Sequence, residues 1–171
     1  MNLENLIKAK EDMLAALADI AKYPEELGFD CTVKCAFTNG DEVESENPED
    51  AACIFGEITV SAPEIEESVI FGAAAGIFEG EEGLYFSSEE FNGSIADARR
   101  EVTEYFDKLK AAAEADNITA IEAYKKCIDE ENKLPDAPKV SSNKHFYITA
   151  GIGAAVIFIA FTLINILLKK G

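Results

Sequence analysis

Histidine occurs once in the 171 residues, at His145, and 15 basic side chains face 33 acidic ones. Each shortage excludes something. Serine or cysteine nucleophiles need a nearby base, usually histidine, and His145 stands at the edge of a long apolar run. No G-x-S-x-G elbow and no P-loop lysine motif is present. The glycines around Phe71 to Gly76 lie among alanines and aliphatics, with no basic residue beside them to meet a phosphate. The four cysteines, Cys31, Cys35, Cys53 and Cys127, form no C-x-x-C pair and are too dispersed for zinc or iron–sulfur ligation. Carboxylate pairs for acid–base work carry no specificity when 33 acids are available. The chain reads as a non-enzyme without cofactor or metal.

The shortage of basic residues is local. All 33 acids lie at or before Asp136, and residues 1–138 hold 11 basic residues, so that stretch carries 11 − 33 = −22. Lys139, Lys144, Lys169 and Lys170 follow with no acid among them. Nucleic acid and anionic lipid both repel such a domain. A charged partner is expected to be basic. The plain role of the acidity is solubility and keeping the domain off the bilayer.

An export signal is also missing. Met1 to Lys22 is broken by Glu4, Lys8, Lys10, Glu11 and Asp12, which leaves no continuous apolar core. The expectation is a cytosolic domain in which all four cysteines are small buried apolar residues. Cys31 and Cys53 are placed to face each other across neighbouring strands, a pair that only an oxidising compartment would bridge.

What the chain has in abundance comes last. Phe146 to Leu168 is a run of 23 uncharged residues closed by Lys169, Lys170 and Gly171. As a helix it is about 34 Å long, enough to cross a hydrocarbon core of about 30 Å. The organisation is then an acidic domain over 1–133, a linker over 134–145, a transmembrane helix over 146–168 and a basic tail over 169–171: a tail-anchored, single-pass protein with its N-terminal domain cytoplasmic. Leu134-Pro135 continues into Asp136-Ala137-Pro138 instead of Thr-Gly, which excludes a cell-wall sorting signal. Within the run, Ala150 with Ala154 and Gly151 with Ala155 are small residues four apart, and Asn165 is a polar group able to bond across a helix pair. These five are candidate packing residues for self-association, giving a homo-oligomer, or for docking to another span.

The domain reads as α+β: an N-terminal helix, a small antiparallel sheet of three to four strands, and two C-terminal helices. Leu3, Leu6, Ile7, Met13, Leu14, Leu17, Ile20 and Ala21 form one stripe of a helix that Pro24 and Gly28 end. Cys31 to Thr38 and Ala52 to Val60 are strands. Residues 61–79 are open to two readings. Ser61 with Glu64 resembles a capping box, whereas Ser68 to Gly72 followed by a turn at Glu79 to Gly83 and then Leu84 to Phe86 makes a hairpin, the favoured reading. Gly72 and Gly76 there mark close approach to a packed helix. From Ser94 the apolar spacing is helical through Ala113, with Asn92 as the turn before it. Asn117 caps a last helix reaching about Lys133.

Between the first two strands lies the candidate partner site. Asp41, Glu42, Glu44, Glu46, Glu49 and Asp50 put six carboxylates into ten residues. A calcium loop starting at Asp41 needs glycine sixth and glutamate twelfth, where Glu46 and Ala52 stand. The loop is therefore a solvated acidic surface. The functional expectation is an interaction or adaptor module for a basic protein at a membrane, through this loop or a groove between Ser94–Ala113 and the sheet. The alternative is an accessory subunit of a larger membrane complex, assembled through its span.

Overall fold

The structure, a computed structural model, describes residues 3–38, 44–45, 48, 51–81, 83–131 and 146–148. The elements are α1 (Leu3–Glu26), β1 (Asp30–Thr38), β2 (Glu44–Ser45), β3 (Cys53–Ser61), β4 (Ser68–Gly80), β5 (Gly83–Phe86), α2 (Ser88–Asp116), α3 (Ala120–Glu131) and β6 (Phe146–Ile148). An N-terminal helix, an antiparallel sheet and C-terminal helices make the domain α+β. The antiparallel path is β2-β1-β3-β4-β5, and β6 lies parallel to β4.

Pro24 sits in the last turn of α1, and Gly28 takes φ +94° just beyond it. The Phe29 N–H donates to the Pro24 carbonyl at 3.1 Å, closing the helix end. Along β1, Cys31, Val33, Cys35 and Phe37 face the helices, paired with Val60, Ile58, Gly56 and Ile54 of β3. Those residues in turn pair with Val69, Phe71, Ala73 and Ala75 of β4. Alternation thus presents one apolar face to α1 and α2. Leu6, Met13, Leu17 and Ile20 of α1 and Val102, Phe106 and Leu109 of α2 fill the space above it. Phe106 stacks edge-on to Phe29 with centroids 5.2 Å apart, and Phe71 meets Tyr105 at 5.8 Å.

The strand glycine most tightly pressed by a helix is Gly56, while Gly76 lies against the Phe78 ring and the Glu90 side chain of α2. A Cβ at Gly56 would run into the Leu17 side chain and stand 3.2 Å from the Met13 sulfur. The apolar stripe of α1 is wider than the sheet beneath it: Leu3, Ile7 and Leu14 remain 44%, 41% and 40% exposed. Arg99 of α2 bridges to Asp19 of α1 at 3.1 Å, and the Tyr23 hydroxyl donates to Asp107.

Residues 68–86 form the hairpin and not a helix. Ser61 ends β3, and Glu64 takes φ 66° in the turn that follows. Two caps lie elsewhere than the spacing indicated. Ser87 caps α2, its hydroxyl accepting from the Glu90 N–H at 3.4 Å, so Asn92 is inside the helix. Asn117 closes α2 in the left-handed region. The cap of α3 is Thr119: its N–H donates to Glu122 Oε2 at 2.8 Å, and the Glu122 N–H donates back to Thr119 Oγ1 at 3.2 Å.

Phe146–Ile148, read as the start of the span, are extended and paired with Val69–Phe71. Residues 149–168, with Ala150, Gly151, Ala154, Ala155 and Asn165, lie outside the described residues. Among the described residues no helix is long and apolar enough to cross a membrane.

Candidate functional site: the groove between β4 and α2

Backbone groups of a strand alternate in direction, which makes the two edges of β4 separable by residue number. The Ala74 N–H donates to Ser94 Oγ of α2 at 2.7 Å, whereas the Ile77 N–H donates toward β3, to the Ala52 carbonyl, at 2.7 Å. Even-numbered residues of β4 therefore aim their N–H and C=O groups away from β3. This outer edge is paired with β5 at one end, through Ile77 to Gly80, and with β6 at the other, through Val69 to Phe71. Between them Ser94 stands where a neighbouring strand would supply its acceptor.

A cavity of about 440 Å³ opens at this gap. Phe55, Gly72, Ala74, Gly76 and Phe78 line it from the sheet, and Glu90, Gly93, Ser94 and Asp97 from α2. The helix wall is a periodic stripe. Glu90, Ser94 and Asp97 follow spacings of four and three on one face of α2, and Glu101, four residues further on, continues that face beyond the residues that line the cavity. The absent side chains shape the other wall: Gly76 has room only because a Cβ there would stand 2.9 Å from the Phe78 ring and 3.6 Å from Glu90 Oε2.

The stripe is electrically uneven. Asp97 is paired with Arg100 at 2.6 Å. Glu90 has no ion pair among the described residues. Glu101 Oε2 is buried with no hydrogen-bond partner among the described residues, and burial pushes that carboxyl above the usual range. An orphaned carboxylate oxygen is an acceptor set for an N–H or ammonium donor.

Gly93 is the other anomaly. It lies in the second turn of α2, and a Cβ built on it meets nothing within 4 Å. Glycine in a helix interior costs about 1 kcal/mol relative to alanine, and no close approach among the described residues requires it.

The acidic loop leaves the sheet at Thr38, the last residue of β1. Of its six candidates, Glu44 lies in β2, whose residues Glu44 and Ser45 pair with Thr38 and Phe37. Asp41, Glu42, Glu46, Glu49 and Asp50 lie outside the described residues. Thr38, Cys53 and Gly76 share one cross-strand row. The loop therefore springs from a point about two strand spacings, roughly 10 Å, from the Gly76 end of the groove.

The cysteines do not converge. Cys31 pairs with Val60 and Cys53 with Thr38, at opposite ends of the β1–β3 ladder, so the two do not face each other. None of the four is fully buried. Burial, then the charges of Glu25 and Asp30, pushes the Cys31 thiol up to about 12, and burial pushes Cys35 up to about 11. Unreactive thiols follow. Among the described residues no cluster of histidine, cysteine or carboxylate has the spacing to hold a metal ion.

Comparison of the chain with protein-family models, with curated proteins and with solved structures found no match.

Proposed function

We propose that this is a tail-anchored, single-pass membrane protein whose acidic cytoplasmic domain receives a basic segment of a protein partner in the groove between β4 and α2. The observation that carries the reading is the coincidence of three features in one place. Glu90 and Asp97 of α2 line a gap in the outer edge of β4, Glu101 follows them on the same helix face, and Gly93 leaves open space at the helix backbone among the described residues. A strand edge supplies main-chain hydrogen bonds for an extended peptide, and carboxylates beside it select lysine or arginine. The acidic loop that follows β1 adds negative charge that steers a basic partner toward the domain.

The anchor in this reading is the apolar run 149–168. These 20 uncharged residues, wound as a helix, would measure about 30 Å, the thickness of a hydrocarbon core, without help from Phe146–Ile148. Confining the domain to a surface raises the effective concentration of a partner held in the same membrane.

Replacing residues 149–168 with an unrelated apolar helix of equal length tests the reading. Recruitment of the partner survives this exchange if the groove is the contact. Loss of recruitment would mean that the span itself does the binding, through Ala150, Gly151, Ala154, Ala155 and Asn165, and would make the protein an accessory subunit of a membrane complex.

A further inference from the structure

The stretch ahead of the apolar run does more than connect. We propose that the outer edge of β4 is a strand-acceptor site that the chain fills with its own residues 146–148, mooring the folded domain at the head of the apolar run instead of letting it swing on a free linker. The pairing is independent of the membrane reading; only its consequence, a domain held one residue from the bilayer, rests on that reading.

Three observations carry the inference. The first is the register: Val69, Ile70 and Phe71 stand opposite Phe146, Tyr147 and Ile148 in parallel. The second is edge polarity. The Ala74 N–H points outward to Ser94, so the groups of Ile70 and Gly72 point outward too. In a parallel ladder of this register the Ile70 N–H meets the Phe146 carbonyl, the Ile148 N–H meets the Ile70 carbonyl, and the Gly72 N–H meets the Ile148 carbonyl. The third is burial. Ile70 lies on the sheet face away from the helices, outside the main core, and is still only 2% exposed. An aliphatic side chain on the open face of a bare edge strand would be exposed.

The connection is long enough. The Tyr124 hydroxyl donates to the Glu67 carbonyl at 3.3 Å, which brings α3 beside the start of β4. Fourteen residues, 132–145, separate α3 from β6, and a return to a parallel strand takes about a dozen or more. An occupied edge is also a protected one, since bare strand edges recruit other chains.

Hydrogen exchange of single amides in the full chain, in zwitterionic detergent micelles, tests this. In the unsubstituted chain the Ile70 and Gly72 amides are expected to be as protected as those of Phe71 and Ala73, which face β3. Exchange of Ile70 and Gly72 at the rate of free peptide would overturn the proposal without any variant having to fold. The double substitution Phe146→Pro and Ile148→Pro removes both donors that face β4. It is expected to speed Ile70 and Gly72 at least about tenfold, the worth of one or two net hydrogen bonds, and to leave Phe71 and Ala73 unchanged. No change at Ile70 and Gly72 overturns the proposal. So does protection that disappears on dilution together with a native mass of two chains, because the strand would then come from a second copy. A chain that fails to partition into vesicles but keeps this exchange pattern would contradict the anchor alone.

Discussion

Gly93→Ala is the sharpest probe of the groove as drawn. Alanine in a helix interior is favoured over glycine by about 1 kcal/mol, partly because the unfolded chain loses freedom. That gain appears in full only where the added methyl meets nothing, and the Cβ position at Gly93 is empty to 4 Å. With an unfolding entropy of about 2.1 cal/mol/K per residue over roughly 130 residues, 1 kcal/mol raises Tm by about 4 °C. Scanning calorimetry of the full chain in detergent, against the unsubstituted protein, reads this directly. A Tm unchanged or lowered would mean that something packs against Gly93, and the cavity of about 440 Å³ would not be open to a partner. A rise would establish that the protein forgoes stability at this lip of the groove. Gly93→Phe should then fold yet lose the partner.

Three further outcomes follow from the packing and the caps. Gly56→Ala forces the Leu17 side chain out of place and should cost about 1–3 kcal/mol in urea unfolding, as overpacked sites do. Thr119→Ala breaks the reciprocal cap with Glu122 and should cost about 1 kcal/mol, read as earlier fraying of α3 amides in hydrogen exchange. The bond to Asp107 pushes the Tyr23 hydroxyl up to about 12. The folded state therefore keeps its proton where the unfolded state has lost it, and this contribution is full below about pH 10 and lost as pH rises through about 12. Ultraviolet titration should show a phenol ionising near pH 12 that Tyr23→Phe removes.

The chain's local patterns made the fold legible where a single period prevailed. Alternation in Cys31–Thr38 and Ala52–Val60 and the 3.6 period of Ile95 to Ala113 correspond to β1, β3 and α2. The hairpin of β4 and β5 was one of two readings, and the capping-box signal at Ser61 lost to a strand end whose hydroxyl donates to the Asp30 carbonyl. Cap chemistry misled at both ends of α2. Asn92-Gly93 has turn composition, but Ser87 with Glu90 starts the helix earlier and carries it through the glycine. Asn117 has the short polar side chain suited to either end of a helix, and here it tolerates φ 55° at the C-terminus. The stripe of Glu90, Ser94, Asp97 and Glu101 was not singled out from the sequence, which marked only Ser94–Ala113 as a candidate groove wall. Its meaning needed the outer edge of β4 beside it, which only the strand pairing supplies.

The central claim is that a basic protein occupies the groove at a membrane. The measurement that tests it most directly is the native mass of the full chain, tagged at Met1 and gently extracted from membranes, beside the same preparation of a Glu90→Lys and Glu101→Lys variant. The account predicts a stoichiometric basic partner with the first and its loss with the second. A lone chain in both, or the same partner retained by the variant, would contradict it.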